Sequence, residues 1–306
     1  MSRLSALELF SGIGGFAAAQ PELDIRLAVE QSRVAAAVYT ANFAHPVLSY
    51  NLDHVTPARL AAVNADLWWM SPPCQPFTRR GRQADLDDPR TRAFTAVVTA
   101  IAEVKPRLVA MENVPEFNGS RAWVLLREAL GRAGYRVREH LVCPTEWRLP
   151  NRRRRYYLVG SVGDLPGEGP RPKPRRLPDL VLPFDPDLAV PDGTLKSYRH
   201  AIHVVDAENP EAITNCFTAA YGRSLVRSGS YLLQGGRVRH FAPREVARLL
   251  GFPDTFVLPT VRAEAWSLLG NSLHVEVVRS VVGTLAPRVS TRASVPKRKK
   301  AADGAD

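Results

Sequence analysis

Cysteine is scarce in this chain of 306 residues, with three (Cys74, Cys143 and Cys216) set far apart. That is too few and too scattered for a disulfide framework, so a reducing cytoplasmic location is expected. Long hydrophobic runs are also missing. No stretch approaches the ~18 uninterrupted apolar residues of a membrane span, so no membrane partner is expected. The opening MSRLSALELF lacks the basic region and long apolar run of a secretory signal. There is no internal repeat. The glycine-rich loop near the start is GxGG and not GxGxxG, which argues against a dinucleotide pyrophosphate loop. No metal site is expected, and nothing suggests an obligate interface, so a monomer is the expectation.

What the chain does have is positive charge. Lys and Arg number 41 against 30 Asp and Glu, a formal net charge of +11, and the sequence pI is near 10.0. Such an excess lowers the free energy of approaching a polyanion and points to nucleic acid. The plainer alternative is a solvated basic surface. With 45% hydrophobic and 23% charged residues, the composition is that of a globular protein able to bury a substantial core.

The first half alternates strand and helix patterns. LSALELF (4–10), DIRLAVE (24–30), DLWWM (66–70) and RLVAMEN (107–113) read as strands. SRVAAAVYTANF, with Val34, Ala35, Val38 and Ala41 at helical spacing, an Ala/Val-rich stretch before residue 107, and RAWVLLREALGRAG closed by Gly134 read as helices. Strands alternating with helices imply an α/β fold with a mostly parallel, doubly wound sheet that binds ligands at the carboxyl ends of its strands. Residues 1–165 form the first part of this domain. The proline-rich 166–191 reads as a linker or wrapping segment, 192–245 as a small second domain, and 246–288 as helices returning to the first. In that last part APREVARLLGF and LLGNSLHVEVVRSVVGTL carry helical patterns, and the basic 289–306, with Lys297–Lys300, is expected to be a disordered tail.

Three loops carry candidate chemistry. Phe10, Ser11, Gly12, Ile13, Gly14 and Gly15 form a strand-to-helix turn whose glycines let the backbone approach a ligand closely. Glu30, closing the second strand, is placed to accept hydrogen bonds from ribose hydroxyls, and Asp53 from an adenine amino group. A glycine turn flanked by two surface acids is the competing account. Ser71-Pro72-Pro73-Cys74-Gln75-Pro76 is a rigid loop in which Cys74 suits a nucleophile better than a buried small hydrophobe. Glu112, at the end of the next strand, should project into the same crevice, where it could donate to or hydrogen-bond a heteroaromatic ring; the alternative is a carboxylate capping a helix. In NRRRRYYLV, alternation places Arg153, Arg155 and Tyr157 on one strand face, able to clamp a phosphate or stabilise a thiolate, or to form a solvated basic edge.

Taken in order, FSGIGGF, SPPCQPF, ENV, the Arg-x-Arg strand, RxVARLLGFP and GNSLHVEVV resemble the motif set of the cytosine-5 methyltransferases, over residues 7 to about 283. The resemblance implies a Rossmann-like class I S-adenosylmethionine-dependent methyltransferase fold with a small target-recognition domain. It also implies that Cys74 attacks C6 of a flipped-out cytosine, with Glu112 holding the N3 edge and Arg155 and Arg153 stabilising the thiolate or the base. S-adenosylmethionine would be held by Phe10, Ser11, Gly12, Ile13, Gly14, Gly15, Glu30, Gln31, Asp53, Pro73, Asn271 and Ser272, leaving as S-adenosylhomocysteine.

Within the family, SPPCQPFTRRG, CPTEWRLPNRRRRYYLVG and NCFTAAYG followed by GRSLVRSGSYL are similar to the branch that methylates the anticodon-loop cytosine 38 of aspartate tRNA. That resemblance implies substrate contacts at Gln75, Thr78, Arg79, Asn113, Cys216, Phe217, Thr218, Tyr221 and Arg223, although Cys216 also reads as a buried small hydrophobe. An anticodon loop offers partly unstacked bases, so extracting one costs less than opening a duplex pair. A bacterial DNA cytosine-5 methyltransferase and a catalytically silent nucleic-acid-binding relative are the alternatives. Cys74, Glu112 and Arg155 are all intact, which argues against the silent one.

Overall fold

The computed structural model describes residues 3–78 and 84–283. Ten strands and nine α-helices are assigned among them. The main sheet contains β1 (Ser5–Leu9), β2 (Asp24–Val29), β3 (Val47–Leu48), β4 (Leu67–Met70), β5 (Leu108–Asn113), β6 (Arg136–Val142) and β7 (Arg155–Ser161). Their order is β3-β2-β1-β4-β5-β7-β6; β7 runs antiparallel to both its neighbours, and the other pairs are parallel. This is the mostly parallel, doubly wound sheet of class I methyltransferases. Strand order reverses between β1 and β4, where such sheets leave a crevice at their carboxyl ends.

Alternation along the strands divides the core in two. In β4, Leu67 and Trp69 face one layer and Trp68 and Met70 the other. The first layer is covered by α1 (Gly15–Ala19), α2 (Arg33–Asn42), α7 (Pro243–Leu249), α8 (Arg262–Asn271) and α9 (Val275–Val282). The second is covered by α4 (Arg92–Val104) and α5 (Arg121–Arg132), with the short α3 (Pro57–Ala61) alongside. The helices start where side-chain caps allow. The hydroxyl of Ser32 accepts from the Ala35 amide, and that of Ser120 from the Trp123 amide.

Residues 204–240 build a separate three-stranded sheet, β10-β9-β8, from β8 (Val204–Asp206), β9 (Tyr231–Gln234) and β10 (Arg237–His240), preceded by α6 (Asp192–Tyr198). The proline-rich segment wraps the molecule. The Gly169 amide donates to the Ser280 carbonyl at 2.7 Å and the Val190 amide to the Val238 carbonyl at 2.9 Å, and Leu177 and Leu188 are buried.

Several expectations need correction. In α2 the buried face is Ala35, Ala36, Val38 and Tyr39, while Val34 and Ala41 are exposed. LLGNSLHVEVVRSVVGTL is two helices, because Ser272 is extended and ends α8 before His274 starts α9. β7 begins at Arg155, so Arg153 precedes the strand instead of sharing its face. The basic stretch Lys297–Lys300 lies outside the described residues, as does Arg79. Among the described residues no helix is long and apolar enough to cross a membrane.

Candidate active site

The carboxyl ends of β1, β2, β4 and β5 open on one cleft of about 460 Å³. The turn after β1 forms its floor. Phe10 and Gly12 both adopt left-handed backbone angles, φ 55° in each case. A glycine tolerates that geometry without strain, whereas Phe10 is held in it by its surroundings. The Gly12 amide donates to Glu30 Oε2 at 2.8 Å and the Ser32 amide to Glu30 Oε1 at 2.7 Å, which fixes this carboxylate at the cleft edge. Ser11 is buried and its hydroxyl has no partner among the described residues. Tyr50, Leu52, Trp69, Leu268 and Leu273 add apolar walls.

The opposite wall carries ionisable groups. Cys74 sits in the loop after β4, with its carbonyl accepting from the amides of Phe77 at 3.0 Å and Thr78 at 3.2 Å. The Asn113 side-chain amide donates to the Pro72 carbonyl at 3.2 Å and pins that loop to the end of β5. Glu112 is buried; the Ser71 hydroxyl donates to its Oε2 at 2.9 Å, and Arg155 Nε lies 3.2 Å from its Oε1. Antiparallel register explains this meeting. Glu112 pairs with Tyr157, and Arg155, two residues back along β7, shares its face.

Burial pushes the Cys74 thiol up, the guanidinium of Arg155 opposes this, the Glu112 carboxylate adds to it, and Arg153 opposes it further. Burial wins, so the free protein holds Cys74 as a thiol beside the groups that would stabilise its thiolate.

Most residues assigned from the sequence converge here. Phe10, Ser11, Gly12, Ile13, Gly15, Glu30, Gln31, Pro73, Cys74, Gln75, Glu112, Asn113, Arg153, Arg155, Asn271 and Ser272 all line the cleft. Gly14 does not. It is the N-cap of α1, and a Cβ there would come within 2.4 Å of the Phe43 ring, so its role is packing. Asp53 lies off the wall in a 3₁₀ turn, capped by Asn51, and its neighbour Leu52 takes its place.

The substrate set is only partly gathered. Phe217 and Tyr221 belong to the core of the small sheet region, with the Tyr221 hydroxyl donating to the Ser230 carbonyl at 2.7 Å and accepting from the Phe241 amide at 2.9 Å. Both rings pack in that core and lie off the cleft wall. Thr78, Thr218 and Arg223 lie off the cleft wall, whereas Cys216 touches the wall from behind through Arg153 and Arg155. Sequence reasoning missed Ser71 and Arg90. Arg90 lines the cleft and is paired with Asp88 through a Nη2–Oδ2 contact of 2.5 Å. An Asp and an Arg two residues apart carry no signal until the fold buries Asp88 and leaves Arg90, half exposed, at the cleft rim.

A doubly wound sheet with an antiparallel β7, a glycine turn beside a fixed carboxylate, and a cysteine beside a buried Glu–Arg pair fit a methyltransferase. Comparison with known proteins makes this particular. The chain matches the family of C-5 cytosine-specific DNA methylases over residues 4–183 and 191–286, and it belongs to that family. It is 28% identical over 322 residues to the tRNA (cytosine(38)-C(5))-methyltransferase of Schizosaccharomyces pombe, covering 92% of this chain and 97% of that protein. The protein of the same description from Spodoptera frugiperda is 30% identical over 326 residues, covering 91% and 98%. The crystal structure of S. pombe Dnmt2 methyltransferase superposes with a TM-score of 0.80 at 27% identity, covering 91% of this chain and 96% of that one.

Proposed function

We propose that the protein transfers a methyl group from S-adenosylmethionine to C5 of a cytosine in RNA, namely the anticodon-loop cytosine 38 of aspartate tRNA, through a covalent bond between Cys74 and C6. The observation that carries the chemistry is the meeting of Cys74, Glu112 and Arg155 on one wall of a cleft whose other wall is the glycine turn and Glu30. The choice of RNA is supported by the likeness to proteins described as tRNA (cytosine(38)-C(5))-methyltransferases.

The residues present fit the cofactor. An orphaned Ser11 hydroxyl, a carboxylate held at the end of β2, and ring and aliphatic walls suit a nucleoside with a charged tail. Phe10, Ser11, Gly12, Ile13, Gly15, Glu30, Gln31, Pro73, Asn271 and Ser272 would hold it. When bound it supplies an electrophilic methyl group.

The chain's own residues do the rest. The Cys74 thiol gives its proton to water in the cleft and its sulfur bonds to C6, which moves ring electron density onto C5. Glu112, protonated at the ring's N3 edge, stabilises that density, and Arg155 fixes the Glu112 carboxyl in place. After methylation water takes the C5 proton, the C5–H electron pair re-forms the C5–C6 double bond, and the C6–S bond breaks to release the Cys74 thiolate, which regains a proton from solvent. Base extraction is required because C6 is shielded within a stack.

The experiment is methyl transfer from labelled S-adenosylmethionine to transcribed aspartate tRNA and, in parallel, to duplex DNA, with bisulfite sequencing of the products. Methylation confined to the anticodon-loop cytosine is expected. A DNA-directed reading is favoured by the family's own description as DNA methylases. Methylation of duplex DNA alone would overturn the choice of RNA and leave the Cys74 chemistry standing.

A further inference from the structure

Arg153 and Arg155 bring two positive charges to a wall whose one ion-paired carboxylate is Glu112. Glu112 answers Arg155. Arg153 is 3% exposed, and its N–H groups donate to the carbonyl oxygens of Phe217 at 3.1 Å, Gly270 at 3.2 Å and Ser272. Carbonyls satisfy donors without cancelling a charge, and a buried guanidinium without a counter-ion is costly.

One atom is shared by both guanidiniums. Cys216 Sγ lies 3.4 Å from Arg153 Nη1 and 3.7 Å from Arg155 Nη2. Its segment is anchored on both sides. The Asn151 side-chain amide donates to Thr214 Oγ1 at 2.9 Å and to the Asn215 carbonyl at 3.2 Å, and the Thr218 amide donates to the Ser228 carbonyl at 2.8 Å. The sulfur is therefore placed by the backbone around it.

We propose that Cys216 is a positioning residue of the reaction centre: its thiolate is the counter-ion that holds the Arg153–Arg155 pair together and sets how much positive charge Cys74 meets. Burial disfavours the Cys216 anion, but the guanidiniums of Arg153 and Arg155 outweigh it, and the thiol falls below its ordinary value. Cys74, for which burial is the largest influence, moves the opposite way. The remaining titratable groups around the pair leave the surplus charge to the sulfur. Glu112 is matched by Arg155, burial pushes Tyr157 up, and burial with the charge of Arg153 pushes His274 down to about 3, so both rings are neutral near pH 7.

This inference rests on Cys74 being the nucleophile but not on the identity of the substrate. In the full chain carrying Cys74→Ser and Cys143→Ser, Cys216 is the sole thiol, and its ultraviolet thiolate absorbance can be followed against pH. A thiolate present at neutral pH and lost on acidification is expected. Titration at or above the ordinary thiol value would overturn the proposal, and this arm does not depend on a Cys216 variant folding. Alkylation of Cys74 by iodoacetamide, read by peptide mass spectrometry against pH, gives the second arm. Cys216→Ser should move the profile about one pH unit lower, and Cys216→Asp, which keeps the anion, should leave it near wild type. A Cys216→Ser profile that superposes on wild type sinks the idea. Neither arm needs methyl transfer, so a chain that methylates nothing would refute the proposed function and leave these results to judge Cys216.

Discussion

Two arginine clusters are buried in this molecule, and they are solved differently. Arg239, on β10, meets Glu245, on α7, through two parallel contacts of 2.7 and 2.8 Å, with each side chain 1% exposed. Its remaining N–H groups donate to Gln234 Oε1 at 2.7 Å, the His240 carbonyl at 2.9 Å and the Leu182 carbonyl at 3.3 Å. Every donor is used and the charge is cancelled. At the cleft, Arg153 Nε has no partner among the described residues, Glu112 pairs with Arg155, and the Cys216 sulfur lies by both guanidiniums. The first arrangement has nothing left to offer a ligand. The second pairs one arginine with a carboxylate and leaves the other to carbonyls and a titratable sulfur beside Cys74, so positive charge is free there whenever that sulfur holds its proton. Completeness of pairing separates the structural site from the reactive one.

The largest effect should come from removing the group that the surplus charge serves. Cys74→Ala should reduce methyl transfer to background while S-adenosylmethionine binding, measured by calorimetry, stays close to wild type. Retained turnover would mean that the attacking group is not Cys74 and that the unbalanced cluster has another purpose. The matched cluster should respond in stability instead. Glu245→Ala strands a buried guanidinium and removes the acceptor of the Leu182 and Ala242 amides, both at 2.7 Å. A loss of about 3–5 kcal/mol is expected, seen as a lowered thermal midpoint. Combining Arg239→Met with Glu245→Leu should recover part of it, because no charge is then left unpaired. If Glu245→Ala unfolds no earlier than wild type, the contrast between the clusters fails on its structural side.

The two clusters were not equally legible from the residues. The cleft could be read because its loops are marked by Gly and Pro, which dictate backbone shape locally, and because its strands are apolar runs bounded by turns. Arg153 and Arg155 could be singled out by alternation, yet the strand starts at Arg155 and Arg153 reaches the site from irregular chain. What places it is the break between α8 and α9, where the extended Ser272 turns its carbonyl toward the guanidinium. Helical periodicity ran straight through that break. The Arg239–Glu245 pair gave no signal, since β8, β9 and β10 span only three or four residues each and pair across long intervals. Phe217 and Tyr221 are singled out only through the resemblance of NCFTAAYG, and their packing partners Phe241 and Trp266 come from elsewhere in the chain.

A third buried charge sharpens the comparison with a smaller effect. Glu8, in the middle of β1, is completely buried and has no cation beside it. The Tyr39 hydroxyl donates to its Oε2 at 2.7 Å and also lies 3.2 Å from His45 Nδ1, while Oε1 has no partner. Burial raises the Glu8 carboxyl from the ordinary 4.5 to about 8, with Tyr39 and the Ala17 amide opposing and Glu30 adding to the rise. Here charge is managed by holding a proton, neither by pairing nor by surplus. The folded state binds that proton more tightly than the unfolded chain does. Its contribution to stability is therefore full below about 4.5 and is lost as pH rises through about 8. Glu8→Gln keeps the shape of the protonated acid and cannot ionise. Chemical unfolding across this range should show wild type losing on the order of 5 kcal/mol more than the Gln variant, with the two converging at low pH. Parallel curves for the two proteins would mean that Glu8 is ionised in the fold. Its charge would then need a partner, and burial without pairing would no longer divide the reactive cluster from the rest of the core.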